Sequence, residues 1–131
     1  MKKGYRQLID DAENRIETLS QVQAEALLGS EDHVFVDLRD RRELERDGCI
    51  PGAFHCPRGM LEFWVDPDSP YHKPIFASAK TFVFYCASGW RSALATAAVQ
   101  DMGLENVCHI AEGYSAWKKT GRSTQAVEKK G

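Results

Sequence analysis

No stretch of the 131-residue sequence approaches the run of roughly 20 apolar residues that a membrane helix needs. Neither sign of charge dominates. Seventeen lysines and arginines stand against 19 acids, a formal net charge of −2, and the basic residues are spread evenly rather than gathered in a stripe. No nucleic-acid partner that depends on a basic face is expected, and no membrane partner. Cys-x-x-Cys pairs are also missing: Cys49, Cys56, Cys86 and Cys108 are separated by 7, 30 and 22 residues, a poor pattern for zinc or another metal. Proline is absent outside residues 51–74, where all five fall, so irregular structure is expected there. The sequence contains no internal repeat and no low-complexity tract.

The opening Met1-Lys2-Lys3 is basic, but Arg6, Asp10, Asp11 and Glu13 interrupt any apolar signal-peptide core. The expectation is a cytoplasmic protein with four reduced thiols; disulfide pairing is the alternative. A hydrophobic fraction of 43% in a chain of this length suffices for a core without staples. One domain over 1–131 is expected, its core at about 15–121, with an N-terminal helix and a frayed polar tail from Arg122 outside it.

Strands and helices alternate along the chain. Residues 1–14 read as a short polar helix with Tyr5, Leu8 and Ile9 on one side. Ser20 with Gln23 three residues on is a capping-box pattern, predicting a helix near 20–28 stopped by Gly29. His33–Asp37 is a β-branched and aromatic strand, 41–46 a charged helix ended by Gly48, and 53–56 a short strand. The proline-rich segment carries one helical turn around Met60–Trp64. Thr81-Phe-Val-Phe-Tyr85 has no polar face after Thr81, as expected of a strand covered on both sides. Residues 91–102 are the most periodic helix, 106–110 a last strand, and 114–119 a last short helix closed by Gly121. This order predicts an α/β fold: a central, mostly parallel sheet flanked by helices on both faces.

Ligands of open α/β sheets bind beyond the carboxyl ends of the strands. The segment between the buried strand and the best helix, Cys86-Ala87-Ser88-Gly89-Trp90-Arg91, is therefore the candidate site. The first N–H groups of a helix lack intrahelical partners, and the helix dipole adds positive potential there. A tight loop curling round a sulfur aims further N–H groups inward. Gly89 permits a backbone conformation other residues resist, and Arg91 is a permanent cation. Each feature favours thiolate over thiol, which makes Cys86 the candidate nucleophile. Cys56 and Cys108 lie inside strands and read as core residues. Cys49, in a turn before Ile50-Pro51-Gly52, also reads as structural, with a role as resolving thiol as the alternative.

The Cys86-to-Arg91 loop resembles the active-site loop of single-domain rhodaneses, the thiosulfate and persulfide sulfurtransferases. Val36-Asp37-Leu38-Arg39 is similar to the family's strand ending in Asp-x-Arg. Gly48-Cys49-Ile50-Pro51-Gly52-Ala53 resembles its Gly-His-Ile-Pro-Gly-Ala turn, and Glu112-Gly113-Tyr114-Ser115-Ala116-Trp117 its Gly-Gly-x-x-x-Trp segment. The resemblance spans about 15–121. Cys49 replaces the usual histidine, Glu112 stands where glycine is common, and the 57–76 segment is longer than in compact members.

The resemblance implies a rhodanese-like fold and a sulfurtransferase needing no metal and no organic cofactor. Cys86 would be catalytic and would carry sulfur as a persulfide. Ala87, Ser88, Gly89, Trp90, Arg91 and Ser92 would bind substrate. The implied partners are small sulfur donors, thiol acceptors and a persulfide-donor protein. Two alternatives stay open: a sulfur-carrier or docking module, and a phosphatase or arsenate reductase of the Cys-x5-Arg type. Four residues, not five, separate Cys86 from Arg91, a narrower cradle better suited to sulfur than to a tetrahedral oxyanion. Asp37 and Arg39 read as a structural pair, His55 and His72 as structural or surface histidines, and His33 and His109 carry no functional signal. Trp90 is expected to point outward and shape the entrance, with Phe63, Trp64 and Tyr71 as further candidates for its rim.

Overall fold

A computed structural model describes residues 1–130. Five strands form one sheet: β1 (Glu17–Leu19), β2 (His33–Asp37), β3 (Phe54–His55), β4 (Thr81–Tyr85) and β5 (Val107–Ile110). Their order is β1-β5-β4-β2-β3, and every pairing is parallel. Parallel neighbours need crossovers, and α2 (Gln21–Glu25), α3 (Arg41–Asp47), α4 (Leu61–Val65) and α5 (Trp90–Asp101) supply them, while α1 (Tyr5–Glu13) precedes the first strand and α6 (Gly113–Lys119) follows the last. Among the described residues, no helix is long and apolar enough to cross a membrane.

The central strand β4 shows why its sequence lacks a polar face. Phe82 and Phe84 pack on one side with Val36, Leu61, Phe76, Ala95 and Val99. Val83 and Tyr85 pack on the other with Phe35, Ile50, Ile110, Tyr114 and Trp117. The first side is covered by α4 and α5, the second by α2 and α6. The alanines of α5 let it lie close to the sheet, and α1 packs on its far side through Ile9 and Ala12 against Ala93 and Ala97.

The capping box of Ser20 and Gln23 forms, although α2 ends at Glu25 rather than 28. A second capping box, Asp40 with Glu43, opens α3. The proline-rich segment holds α4 where a helical turn was expected, flanked by 3₁₀ turns at Arg58–Met60 and Pro74–Ala77. Strand β1 was not expected. Three residues are too few for an alternation to show, and its partner β5 lies some 90 residues away.

The tail corrects a second expectation. Instead of fraying from Arg122, it returns to the 48–52 turn. Cys49 and Gln125 exchange backbone hydrogen bonds of 2.9 and 2.8 Å, and the Ser123 carbonyl accepts from the Trp117 indole at 2.7 Å. The buried turn has polar backbone groups needing partners, and the tail supplies them.

Candidate active site

β4 ends at Tyr85, and the chain turns at once into the Cys86–Gly89 loop that starts α5. The turn is possible because Gly89 takes φ +93, a left-handed conformation that favours glycine. Cys86 is 1% exposed. Its sulfur accepts from the backbone N–H of Gly89 at 3.3 Å and of Ser92 at 3.4 Å, and the Ser92 hydroxyl lies 3.6 Å away. Two N–H groups and a hydroxyl at a helix start form a cradle for an anionic sulfur. The other three thiols are buried and held protonated. Burial takes Cys56 and Cys108 up to about 12, and burial with the nearby Asp37 charge raises Cys49.

The loop's carbonyls are pinned from the far side. The first turn of α6 donates to them, Tyr114 N–H to Cys86 O at 2.8 Å and Ser115 N–H to Ala87 O at 3.0 Å. This contact leaves no room for a side chain at Gly113, where a Cβ would stand 2.5 Å from Cys86 O and 2.6 Å from Ala87 O. Beside Ala87 opens a cavity of about 330 Å³ bounded by Arg39, Glu43, Arg46, Asp47, Tyr114, Lys118 and Lys119. Arg39 is paired with Asp37 at 2.7 Å, Arg46 with Asp47 at 2.9 Å and Glu43 with Arg91 at 2.7 Å. Lys118 and Lys119 are thus the cavity's cations without a carboxylate partner among the described residues.

Residues 20–120 match the rhodanese-like domain. The chain belongs to the rhodanese-like family. A sulfurtransferase from Allochromatium vinosum is 30% identical over 112 residues, covering 86% of this chain and 92% of that protein. The mouse thiosulfate sulfurtransferase/rhodanese-like domain-containing protein 3 is 28% identical over 97 residues, 70% of this chain; the match spans only 62% of the mouse protein. Among solved structures, a Rhodopseudomonas palustris protein of unknown function, described as a possible tyrosine phosphatase, is 54% identical with a TM-score of 0.93, covering 95% of this chain and 96% of that one. A human single-domain sulfurtransferase is 27% identical with a TM-score of 0.65, covering 78% of this chain and 95% of that one.

Within this rhodanese-like loop, the structure places the expected site residues unevenly around the sulfur. Gly89 and Ser92 touch it, Ala87 lines the cavity, and Ser88 is exposed. Arg91 does not stand free beside Cys86. Its guanidinium forms two hydrogen bonds to Glu43, at 2.7 and 2.9 Å, which hold Glu43 down to about 2. Glu43 Oε1 also accepts from the Asp40 backbone N–H at 3.2 Å in the capping box that opens α3. Trp90 points outward as expected, but it packs against Tyr5 of α1 with ring centres 5.0 Å apart and tilted at 42°, with Arg6 over its ring, and it does not line the cavity. Trp64 is no rim residue either: it packs edge-on to Phe54 at 6.0 Å against the core, whereas Phe63 and Tyr71 are exposed.

Asp37 and Arg39 form a buried pair, with Arg39 also donating to Gly48 O at 2.8 Å and lying over Tyr114 at 4.2 Å. His33, His55 and His72 are satisfied by Ser30, Arg39 O and Trp64 O respectively. His109 is different. Its Nδ1 lies 2.9 Å from Ser92 Oγ, so it stands directly behind a residue that touches the sulfur. Nothing in the sequence marked it, because a histidine inside a strand gives no sign of which helix residue it will meet.

Proposed function

We propose that the protein is a sulfurtransferase working by double displacement at Cys86. The Cys86 thiolate attacks the outer sulfur of thiosulfate. A new S–S bond forms, the donor's S–S bond breaks, and sulfite leaves with the electron pair. The resulting persulfide is then attacked at its outer sulfur by an acceptor thiolate or cyanide, which returns Cys86. The observation that carries this reading is the cradle: a buried sulfur at the end of the central strand, met by the N–H groups of Gly89 and Ser92 and lying 3.6 Å from the Ser92 hydroxyl, with only four residues between Cys86 and Arg91. Lys118 and Lys119 at the cavity favour an anionic donor by electrostatic attraction. Small sulfur donors, thiol acceptors and a persulfide-donor protein are the partners this chemistry needs; no metal or organic cofactor enters it. Four free thiols suit a reducing, cytoplasmic setting.

The description of the R. palustris relative favours a second reading, a phosphatase. Two features weigh against it. The cradle is one residue shorter than a Cys-x5-Arg loop, and the one arginine at its end is already engaged at both ends of its fork by Glu43. Turnover assays with thiosulfate plus cyanide, and with an aryl phosphate, separate the readings. Thiosulfate:cyanide turnover that vanishes in Cys86→Ser, with negligible aryl-phosphate hydrolysis, is expected. Phosphatase turnover without sulfur transfer would reverse the assignment, and single sulfur transfer to a thiol without turnover would make the protein a carrier.

A further inference from the structure

We propose that Ser92 and His109 form a buried relay that takes up the Cys86 thiol proton when sulfur is loaded and returns it when sulfur leaves; this rests on the sulfurtransferase reading. Three groups stand in line: Cys86 Sγ, Ser92 Oγ at 3.6 Å, and His109 Nδ1 a further 2.9 Å on. Cys86 is 1% exposed and the other two are fully buried. A fully buried imidazole is costly unless its nitrogens are used. Its Nε2 has no hydrogen-bond partner among the described residues and faces the Glu13 carboxylate of α1 at 3.9 Å.

The surroundings leave His109 few titratable neighbours. In the sheet it is flanked by Phe84 of β4 and Thr18 of β1, neither of which carries a charge. From α5 it meets Ser92; the nearby Thr96 hydroxyl donates to the Ser92 carbonyl at 2.7 Å. The titratable groups it faces are Glu13 and, through Ser92, Cys86.

With its Nε2–H toward Glu13, the neutral ring has Nδ1 bare. Nδ1 then accepts the Ser92 hydroxyl, and Ser92 Oγ accepts the Cys86 S–H. Loading reverses the chain. The S–H bond breaks and its proton joins Ser92 Oγ, while the original hydroxyl proton moves to Nδ1. The first half-reaction is then balanced: thiol, neutral imidazole and thiosulfate give persulfide anion, imidazolium and sulfite. In the second, an acceptor thiolate takes the outer sulfur, and the stored proton returns through Ser92 to the Cys86 sulfur as it leaves. Burial holds His109 down to about 4, so the ring is neutral in the resting protein, and the imidazolium forms only against that burial cost, offset by the charges it then faces. The positive charge it then carries lies between the persulfide anion and the Glu13 carboxylate. Ser92 touches the reacting sulfur; His109 acts through it and is a positioning residue.

The first test needs no sulfur donor. The rate of Cys86 alkylation by iodoacetamide is followed against pH in the unaltered protein, Ser92→Ala, His109→Phe and the double variant. Each single variant should move the profile up by about one pH unit, about a tenfold slower reaction at neutral pH. The double variant should move it no further than either single, because the residues act as one chain. An unmoved profile in folded His109→Phe, or additive shifts, overturns the relay. Should His109→Phe not fold, nitrogen-15 NMR of the unaltered protein decides. After thiosulfate loading, with persulfide verified by mass, Nδ1 should change from a bare to a protonated nitrogen at neutral pH. A bare Nδ1 in a persulfidated sample overturns the relay and leaves the sulfurtransferase reading standing; failure to form persulfide overturns that reading and the relay's storage role with it.

Discussion

Replacing Glu43 with glutamine preserves the size of the side chain and removes the charge that binds Arg91. In the folded protein the Arg91 hydrogen bonds hold Glu43 at about 2 against its ordinary 4.5. At about 1.4 kcal/mol per pH unit, that separation corresponds to an upper bound of about 3–4 kcal/mol of stability. Arg91 is 41% exposed, so solvent screens the pair, and about 1–2 kcal/mol is the expected contribution. A carboxylate held below its ordinary value stabilises the fold fully above that value and loses the contribution as it is protonated. The stability difference between the unaltered protein and Glu43→Gln should therefore be about 1–2 kcal/mol at neutral pH. It should shrink as pH falls from 4.5 toward about 2.

Urea titration at a series of pH values measures this directly. The same variant bears on the site, because Arg91 would keep its charge without its counter-ion. Alkylation of Cys86 in Glu43→Gln should therefore become faster at neutral pH even as the protein becomes less stable. A stability difference that stays constant between pH 6 and pH 3 would refute the reasoning. So would a difference within error of zero, since it would mean that the bidentate pair contributes nothing in solution.

Three further perturbations have definite outcomes. Gly113→Ala places a Cβ against the Cys86 and Ala87 carbonyls at φ +64 and should lower the urea midpoint by the equivalent of about 2–3 kcal/mol; Gly52→Ala, with open space around it at φ +76, should cost about 1 kcal/mol. Asp37→Ala leaves Arg39 buried without its counter-charge and should cost about 3–5 kcal/mol by the same titration. Insertion of one glycine between Ser88 and Gly89 should widen the cradle and lower thiosulfate turnover, and paired assays with thiosulfate and an aryl phosphate would show whether weak phosphatase activity appears in its place.

Most of the fold was legible because its signals are local. Strands β2 and β4 lie at the residues their β-branched and aromatic runs indicate, and the Ser20 capping box is complete within four residues. Strand β1 and the docked tail were not legible, since each is defined by a partner remote in sequence, β5 and the 48–52 turn. The site divides in the same way. Cys86, Gly89 and Ser92 form the cradle within seven consecutive residues, so the loop showed in the sequence. Arg91 with Glu43, 48 residues apart, and Ser92 with His109, 17 apart, are tertiary contacts that no spacing encodes. They matter chemically because one sets a carboxylate against the cation near the sulfur and the other places an imidazole behind Ser92.

Intact-protein mass spectrometry after incubation with thiosulfate, followed by peptide mapping without reductant, tests the central claim most directly. One added sulfur atom is expected, located on Cys86 and removed by cyanide. A protein that gains no sulfur, or gains it on Cys49, Cys56 or Cys108 with Cys86 unmodified, would contradict it.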